Sequence, residues 1–218
     1  MPSLPMEPQS FRPLHEIMVG QIRSRLLQAG LDLKVFDLLG EFRTAAEVAA
    51  AMNAHQANTR LFLDALANLG LVDKEKEQYR NAPLAAQFLS SGSSLYLGPL
   101  LSMVKQMSLD TLNDLEERIR RGPGLAEFRD DSDAQCQWVE SARASAPWAL
   151  GEMGCRAARI AARLPGFNAF EKMLDLGGGH GLFALYLVQA SDNLRAVVFD
   201  HPPVVELASE FIASYDMG

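Results

Sequence analysis

Cysteine is scarce: Cys136 and Cys155 are the two in 218 residues. They stand in helical stretches without the spacing of metal ligands, so no metal site is expected and both read as inert thiols of a reducing compartment. Positive charge is in deficit, with 20 Lys and Arg against 27 Asp and Glu and a net charge of −7. The basic residues are dispersed among acids, which excludes the usual footprint of a nucleic-acid or anionic-membrane partner. Long apolar runs are missing too, none approaching the roughly 20 residues of a membrane span. The N-terminus, with Pro2, Pro5, Glu7 and Pro13, lacks the charged and apolar regions of a signal peptide. What is left is an ordinary globular composition, 48% apolar and 22% charged, pointing to small-molecule chemistry in the cytoplasm by one large or two small domains.

Residues 1–12 read as a flexible arm. Leu14, Ile17, Met18, Ile22, Leu26 and Leu27 recur at helical spacing up to Gly30, a plausible stop, and a short helix from Leu31 to Leu39 follows. Thr44-Ala-Ala-Glu47 is a capping box opening an Ala-rich helix, Ala45 to Met52, and a further helix runs from Ala57 to Leu69 before Gly70. Leu71-Val72 and Tyr79-Arg80 then flank a charged tip, Asp73 to Gln78, as a hairpin. Together these elements spell a winged helix over 13–94. The second helix of its pair offers a single base, Arg60, and the wing tip is net acidic, so packing and self-association compete with a DNA-binding regulator as its use. From 95 to 164 the chain reads as helices: Leu95 to Arg121 with a kink at Gly98-Pro99, a stop at Gly122-Pro-Gly124, then Ser132 to Leu164 ending at a Pro165-Gly166 hinge.

Chemistry is named in one place, Lys172-Met-Leu-Asp-Leu-Gly-Gly-Gly-His-Gly181. Met173, Leu174 and Leu176 suit a strand buried on both faces of a parallel sheet, and Leu182 to Val188 reads as a helix. Gly177, Gly179 and Gly181 permit positive φ and close approach of a ligand to the backbone at the start of that helix. A second strand, Arg195 to Phe199, ends at Asp200, roughly 20 positions past the last glycine, where a carboxylate can accept ribose hydroxyls. Gly179-His-Gly181-Leu-Phe-Ala184 satisfies the dinucleotide pattern G-x-G-x-x-A, so the glycines by themselves leave a dinucleotide open. Asp175 discriminates: an acid at this strand end favours a cation-bearing ligand and repels a pyrophosphate.

The run Asp175-x-Gly177-Gly178-Gly179-x-Gly181 resembles motif I of the class I S-adenosylmethionine-dependent methyltransferases. With a winged helix before it, the arrangement resembles the small-molecule O-methyltransferases of the plant caffeate type and their bacterial relatives. That resemblance implies an α-helical winged-helix dimerisation domain (13–94), a helical connector and acceptor-pocket wall (95–164), and the first part of an α/β Rossmann-like domain binding S-adenosyl-L-methionine (165–218). It implies cofactor contacts at Asp175, Gly177, Gly178, Gly179, Gly181 and Asp200, and a pocket wall for a small aromatic hydroxyl acceptor, with Met103, Met107, Trp148 and Met153 as candidates. It implies a homodimer through the N-terminal domain. The four histidines, His15, His55, His180 and His201, carry no assignment as base; His201 stands where relatives more often have Leu. Only two parallel strands fall within the chain, so the sequence reads as an incomplete methyltransferase domain, inactive alone, or as a non-catalytic dimerisation subunit that completes a separate half.

Overall fold

The computed structural model describes residues 10–122 and 132–215, with the backbone alone at 109–111. Most of the arm, the Pro123-Gly124 stop and the last three residues lie outside the described residues. Contacts divide the chain into two compact units, Met1–Ser93 and Ser94–Gly218.

In the first unit, α1 (Arg12–Asp32) runs through Gly30, which is not a stop. Gly30 is buried because the Phe36 ring packs on it; a Cβ there would lie 2.8 Å from that ring. The turn comes instead at Lys34, in the left-handed region at φ 53°, so the next helix shortens to α2 (Val35–Leu38). Phe11, Leu14, Ile17, Met18 and Ile22 leave one long apolar stretch of this helix exposed. β1 (Arg43–Thr44) precedes α3 (Ala45–Ala51), whose capping box is formed: the Glu47 N–H donates to Thr44 Oγ1, and the Thr44 N–H donates to Glu47 Oε2 at 2.7 Å.

α4 (Gln56–Asn68) starts from His55, whose Nδ1 accepts the Asn58 N–H. The wing is better paired than its charge suggested. β2 (Val72–Glu75) and β3 (Gln78–Asn81) are antiparallel, Val72 opposite Asn81 and Glu75 opposite Gln78, so the tip is two residues, and β1 joins β3 as a third strand. Val35, Phe36, Leu39, Val48, Leu63, Leu66 and Tyr79 fill the core of this winged helix. α5 (Pro83–Phe88) closes it.

The second unit opens with α6 (Gly98–Leu112). Gly98-Pro99 begins this helix rather than kinking one, because Pro suits the first turn and the Tyr96 ring occupies the place of a Gly98 side chain. α7 (Leu115–Arg121) follows. The long helix expected from Ser132 is divided into α8 (Ser132–Trp148), one π turn (Ala149–Met153) and α9 (Gly154–Ala161). Pro147 has no N–H to donate back along the helix, and the wider turn follows it directly. Tyr186 fills the notch at Gly154 and donates its hydroxyl to the Leu150 carbonyl at 3.3 Å.

β4 (Lys172–Leu176), α10 (Leu182–Gln189), β5 (Arg195–Phe199) and α11 (Pro202–Ser214) complete the unit, with β4 and β5 parallel and Leu174 opposite Val197. β4 is not buried on both faces. Met173, Asp175, Ala196 and Val198 are half-buried, whereas Leu174, Leu176, Val197 and Phe199 are 60–74% exposed. Residues of one strand alternate between faces, and α10 and α11 pack against the other face.

Candidate cofactor and acceptor site

Asp175, next to last in β4, lies on the half-buried face, and the chain then turns three times through the left-handed region, at Gly177 (φ 69°), Gly179 (φ 56°) and Gly181 (φ 71°). An L side chain is strained by about 1–2 kcal/mol at each such position. Gly178 is required for space: a Cβ there would sit 2.7 Å from Val198 and 2.9 Å from the Asp175 carboxylate. The loop is tied to β5 by the Gly177 N–H, which donates to the Phe199 carbonyl at 2.8 Å.

Asp200 caps the same loop. Its Oδ2 accepts the Gly179 N–H at 2.9 Å, and its Oδ1 accepts the His201 N–H at 2.8 Å. Each oxygen has a second lone pair for a ligand, so the carboxylate both fixes the loop and faces the cleft beside it. Asp175 is the less settled of the two acids. Its Oδ2 is buried with no hydrogen-bond partner among the described residues. Burial, and then the like charge of Asp200, push its carboxyl above the usual range. A buried unpaired carboxylate oxygen is costly, and a cationic hydrogen-bond donor is the group that relieves it. The site therefore fits a ligand carrying an ammonium and a ribose.

His180, between two glycines, has a structural role that the sequence did not reveal. It is 4% exposed, accepts the Leu182 N–H at Nδ1 (3.1 Å), and packs against Phe183 and Phe211. Burial lowers its pKa from 6.5. It caps α10, and a histidine in a glycine loop carries no periodic signal that would announce this.

Two neighbouring clefts share Met103, Trp138 and Ser141, and one of them adjoins the loop. One of about 810 Å³ lies between α6 and α8, lined by Met103, Met107, Gln137, Trp138 and Arg143 among others. A second, of about 490 Å³, is lined by Gly179, Asp200 and His201 from the loop side and by Met103, Trp138 and Ser145 opposite. The structure thus brings Met103 and Met107 together. It does not bring Trp148 or Met153 to them: Trp148 is 44% exposed with its edge toward Phe183, and Met153 ends the π turn. Trp138, which the resemblance did not single out, lines the cleft beside Met103 and Met107. Among the described residues no cluster of three or more His, Cys, Asp or Glu could hold a metal ion, and no helix is long and apolar enough to cross a membrane. Cys136 and Cys155 are free thiols.

In the winged helix, Arg60 and Lys74 both pair with Asp64, at 3.5 and 2.6 Å, so the helix that would enter a DNA groove presents little unpaired positive charge.

Comparison with known proteins points to one family. The model of the O-methyltransferase dimerisation domain matches residues 15–91, and that of the O-methyltransferase domain matches residues 153–217; together they account for more than half the chain. Acetylserotonin O-methyltransferase of Mus musculus molossinus is 30% identical over 92% of this chain and 55% of its own length. The N,N-dimethyltransferase OxyT of Streptomyces rimosus is 28% identical over 97% of this chain and 63% of its own. Among solved structures, human N-acetylserotonin methyltransferase in complex with S-adenosylmethionine superposes with a TM-score of 0.70 at 26% identity, covering 95% of this chain and 64% of that one. An O-methyltransferase family protein from Burkholderia thailandensis gives 0.68 at 27%, covering 97% and 63%. The chain spans between about half and two thirds of the length of these relatives.

Proposed function

Because this chain belongs to the family of S-adenosylmethionine-dependent O-methyltransferases, we propose that its glycine loop binds S-adenosyl-L-methionine and that the whole protein methylates a hydroxyl of a small aromatic molecule. The observation that carries this reading is the buried, unpartnered Asp175 carboxylate beside a loop with three positive-φ glycines. Asp175 accepts hydrogen bonds from the ammonium of the cofactor. Gly177, Gly178, Gly179 and Gly181 let its backbone-facing side approach, and Asp200 offers its remaining lone pairs to the ribose. The cofactor, when bound, supplies the electrophilic methyl group. What the chain contributes is placement: an acceptor in the cleft of Met103, Met107 and Trp138 adjoins the cofactor cleft, so that the two reactants are held side by side.

The second part of the reading is a homodimer through residues 13–94. It is supported by the match to a dimerisation domain and by the exposed apolar run of α1 within that segment. The relative that is an N,N-dimethyltransferase keeps an amine acceptor as the alternative to a hydroxyl. Calorimetry with S-adenosylhomocysteine and with NAD tests the cofactor assignment. Binding of S-adenosylhomocysteine that is lost in Asp200→Ala is expected; binding of NAD alone overturns it.

A further inference from the structure

Trp138 stands at the junction of the two clefts. From α8 it lines the larger one with Met103 and Met107 and the smaller one with Gly179, Asp200 and His201; Met103 and Ser141 are shared as well. Its indole lies on the His201 imidazole, ring centroids 4.2 Å apart and planes inclined by 26°. His201 is tied to the glycine loop through one carboxylate, since its N–H and that of Gly179 donate to the two oxygens of Asp200. One turn further along α8, Ala142 is buried against Val204 and Leu207 of α11, which anchors the helix at this level. A continuous series of contacts therefore leads from the loop to the acceptor cleft: Gly179, Asp200, His201, Trp138.

We propose that His201 and Trp138 are positioning residues that couple the two clefts, so that filling the Asp200 side prepares the other for a planar aromatic acceptor. The proposal rests on the cofactor reading above. A ligand on Asp200 shifts the carboxylate that also holds the His201 N–H; the imidazole moves with its backbone, and the stacked indole moves with the imidazole. Stacked rings pass on such a shift because offset stacking has a preferred geometry that a flexible aliphatic side chain lacks. Trp138 then sets the width of the acceptor cleft. The coupling is reciprocal: an aromatic acceptor against Trp138 tightens the cofactor by the same factor.

The chain holds two tryptophans, so Trp148→Phe leaves Trp138 as the sole indole. In that background S-adenosylhomocysteine is titrated by calorimetry and by Trp138 emission, and 4-nitrophenol, a planar phenol, by its quenching of the same emission. S-adenosylhomocysteine should shift the emission at the midpoint of its binding heat and tighten 4-nitrophenol by about fivefold or more. At saturating S-adenosylhomocysteine, His201→Ala should abolish the emission shift and the tightening; His201→Phe, which keeps a stacking ring, restores both. Coupling that survives His201→Ala, or 4-nitrophenol that fails to quench Trp138 with S-adenosylhomocysteine bound, overturns the proposal. Absence of any S-adenosylhomocysteine heat with His201 intact is a different failure, that of the cofactor reading itself.

Discussion

Asp175 gives up stability for a site, whereas Gly178 serves both. The Asp175 carboxylate is partly desolvated, has one oxygen without a partner and sits near a second acid, so its folded-state pKa lies above the unfolded value. With the folded pKa raised, the native chain binds the extra proton. The contribution of this group to stability is therefore greatest below the ordinary value of 3.8 and falls as pH rises from there through the raised one. Asp175→Asn should remove that part of the pH dependence and raise the urea midpoint at neutral pH, while weakening S-adenosylhomocysteine by tenfold or more because the ammonium loses its charged acceptor. A neutral-pH urea midpoint that falls would show that the carboxylate has a stabilising partner in the free protein. Gly178→Ala acts differently. Its Cβ meets Val198 and the Asp175 carboxylate below 3 Å, so the loop must shift. A loss of about 1–3 kcal/mol in chemical denaturation is expected, together with loss of ligand binding; unchanged binding would mean that the loop has room to relax.

At the scale of elements, the structure holds α10 and the wing by polar groups that periodicity does not reveal. His180 caps α10 only while Nδ1 is an unprotonated acceptor. Burial lowers its folded pKa, so the cap's contribution is intact above the unfolded value of 6.5 and is lost as pH falls from there toward the lowered one. His180→Asn keeps an acceptor that does not titrate there, and should abolish the fall in melting temperature between neutral and mildly acidic pH; an unchanged fall would place the titration elsewhere. In the wing, the Tyr79 hydroxyl, on a fully buried ring, donates to Asp64 at 2.8 Å, and Lys74 donates to the same oxygen. Tyr79→Phe should cost about 0.5–1.5 kcal/mol in urea unfolding. Much of this architecture is legible in sequence: the capping box at Thr44, the wing and the strand-loop-helix at Asp175 follow from local chemistry that tertiary contacts reinforce. Gly30 misleads because the ring that requires a glycine there belongs to Phe36, beyond the end of α1. The π turn after Pro147, the stack of Trp138 on His201 and the cap by His180 escape because each depends on a partner placed by the fold.

At the scale of the molecule, two of the apolar surfaces left open among the described residues have different origins. On α1, Leu14, Ile17, Met18 and Ile22 are 60–75% exposed along one helix, within the segment that matches a dimerisation domain. On the sheet, Leu174, Leu176, Val197 and Phe199 form one face of two parallel strands. If the homodimer forms through the N-terminal domain, the two surfaces are separable by charge. Ile17→Glu with Ile22→Glu should convert a dimer into a monomer in sedimentation, because burying two carboxylates in an apolar interface is unfavourable without partners. Leu176→Lys with Phe199→Lys should leave the dimer intact. These two side chains are 74% and 60% exposed, so replacing them removes little packing, but they face each other across the strands and the paired lysines repel, so stability should fall by about 0.2–1 kcal/mol. What should change is the binding of a hydrophobic dye, which falls in the sheet variant as the exposed apolar patch is broken up. Sedimentation of the sheet variant as a monomer would move the self-association surface from α1 to the parallel strands, and with it the assignment of the N-terminal unit.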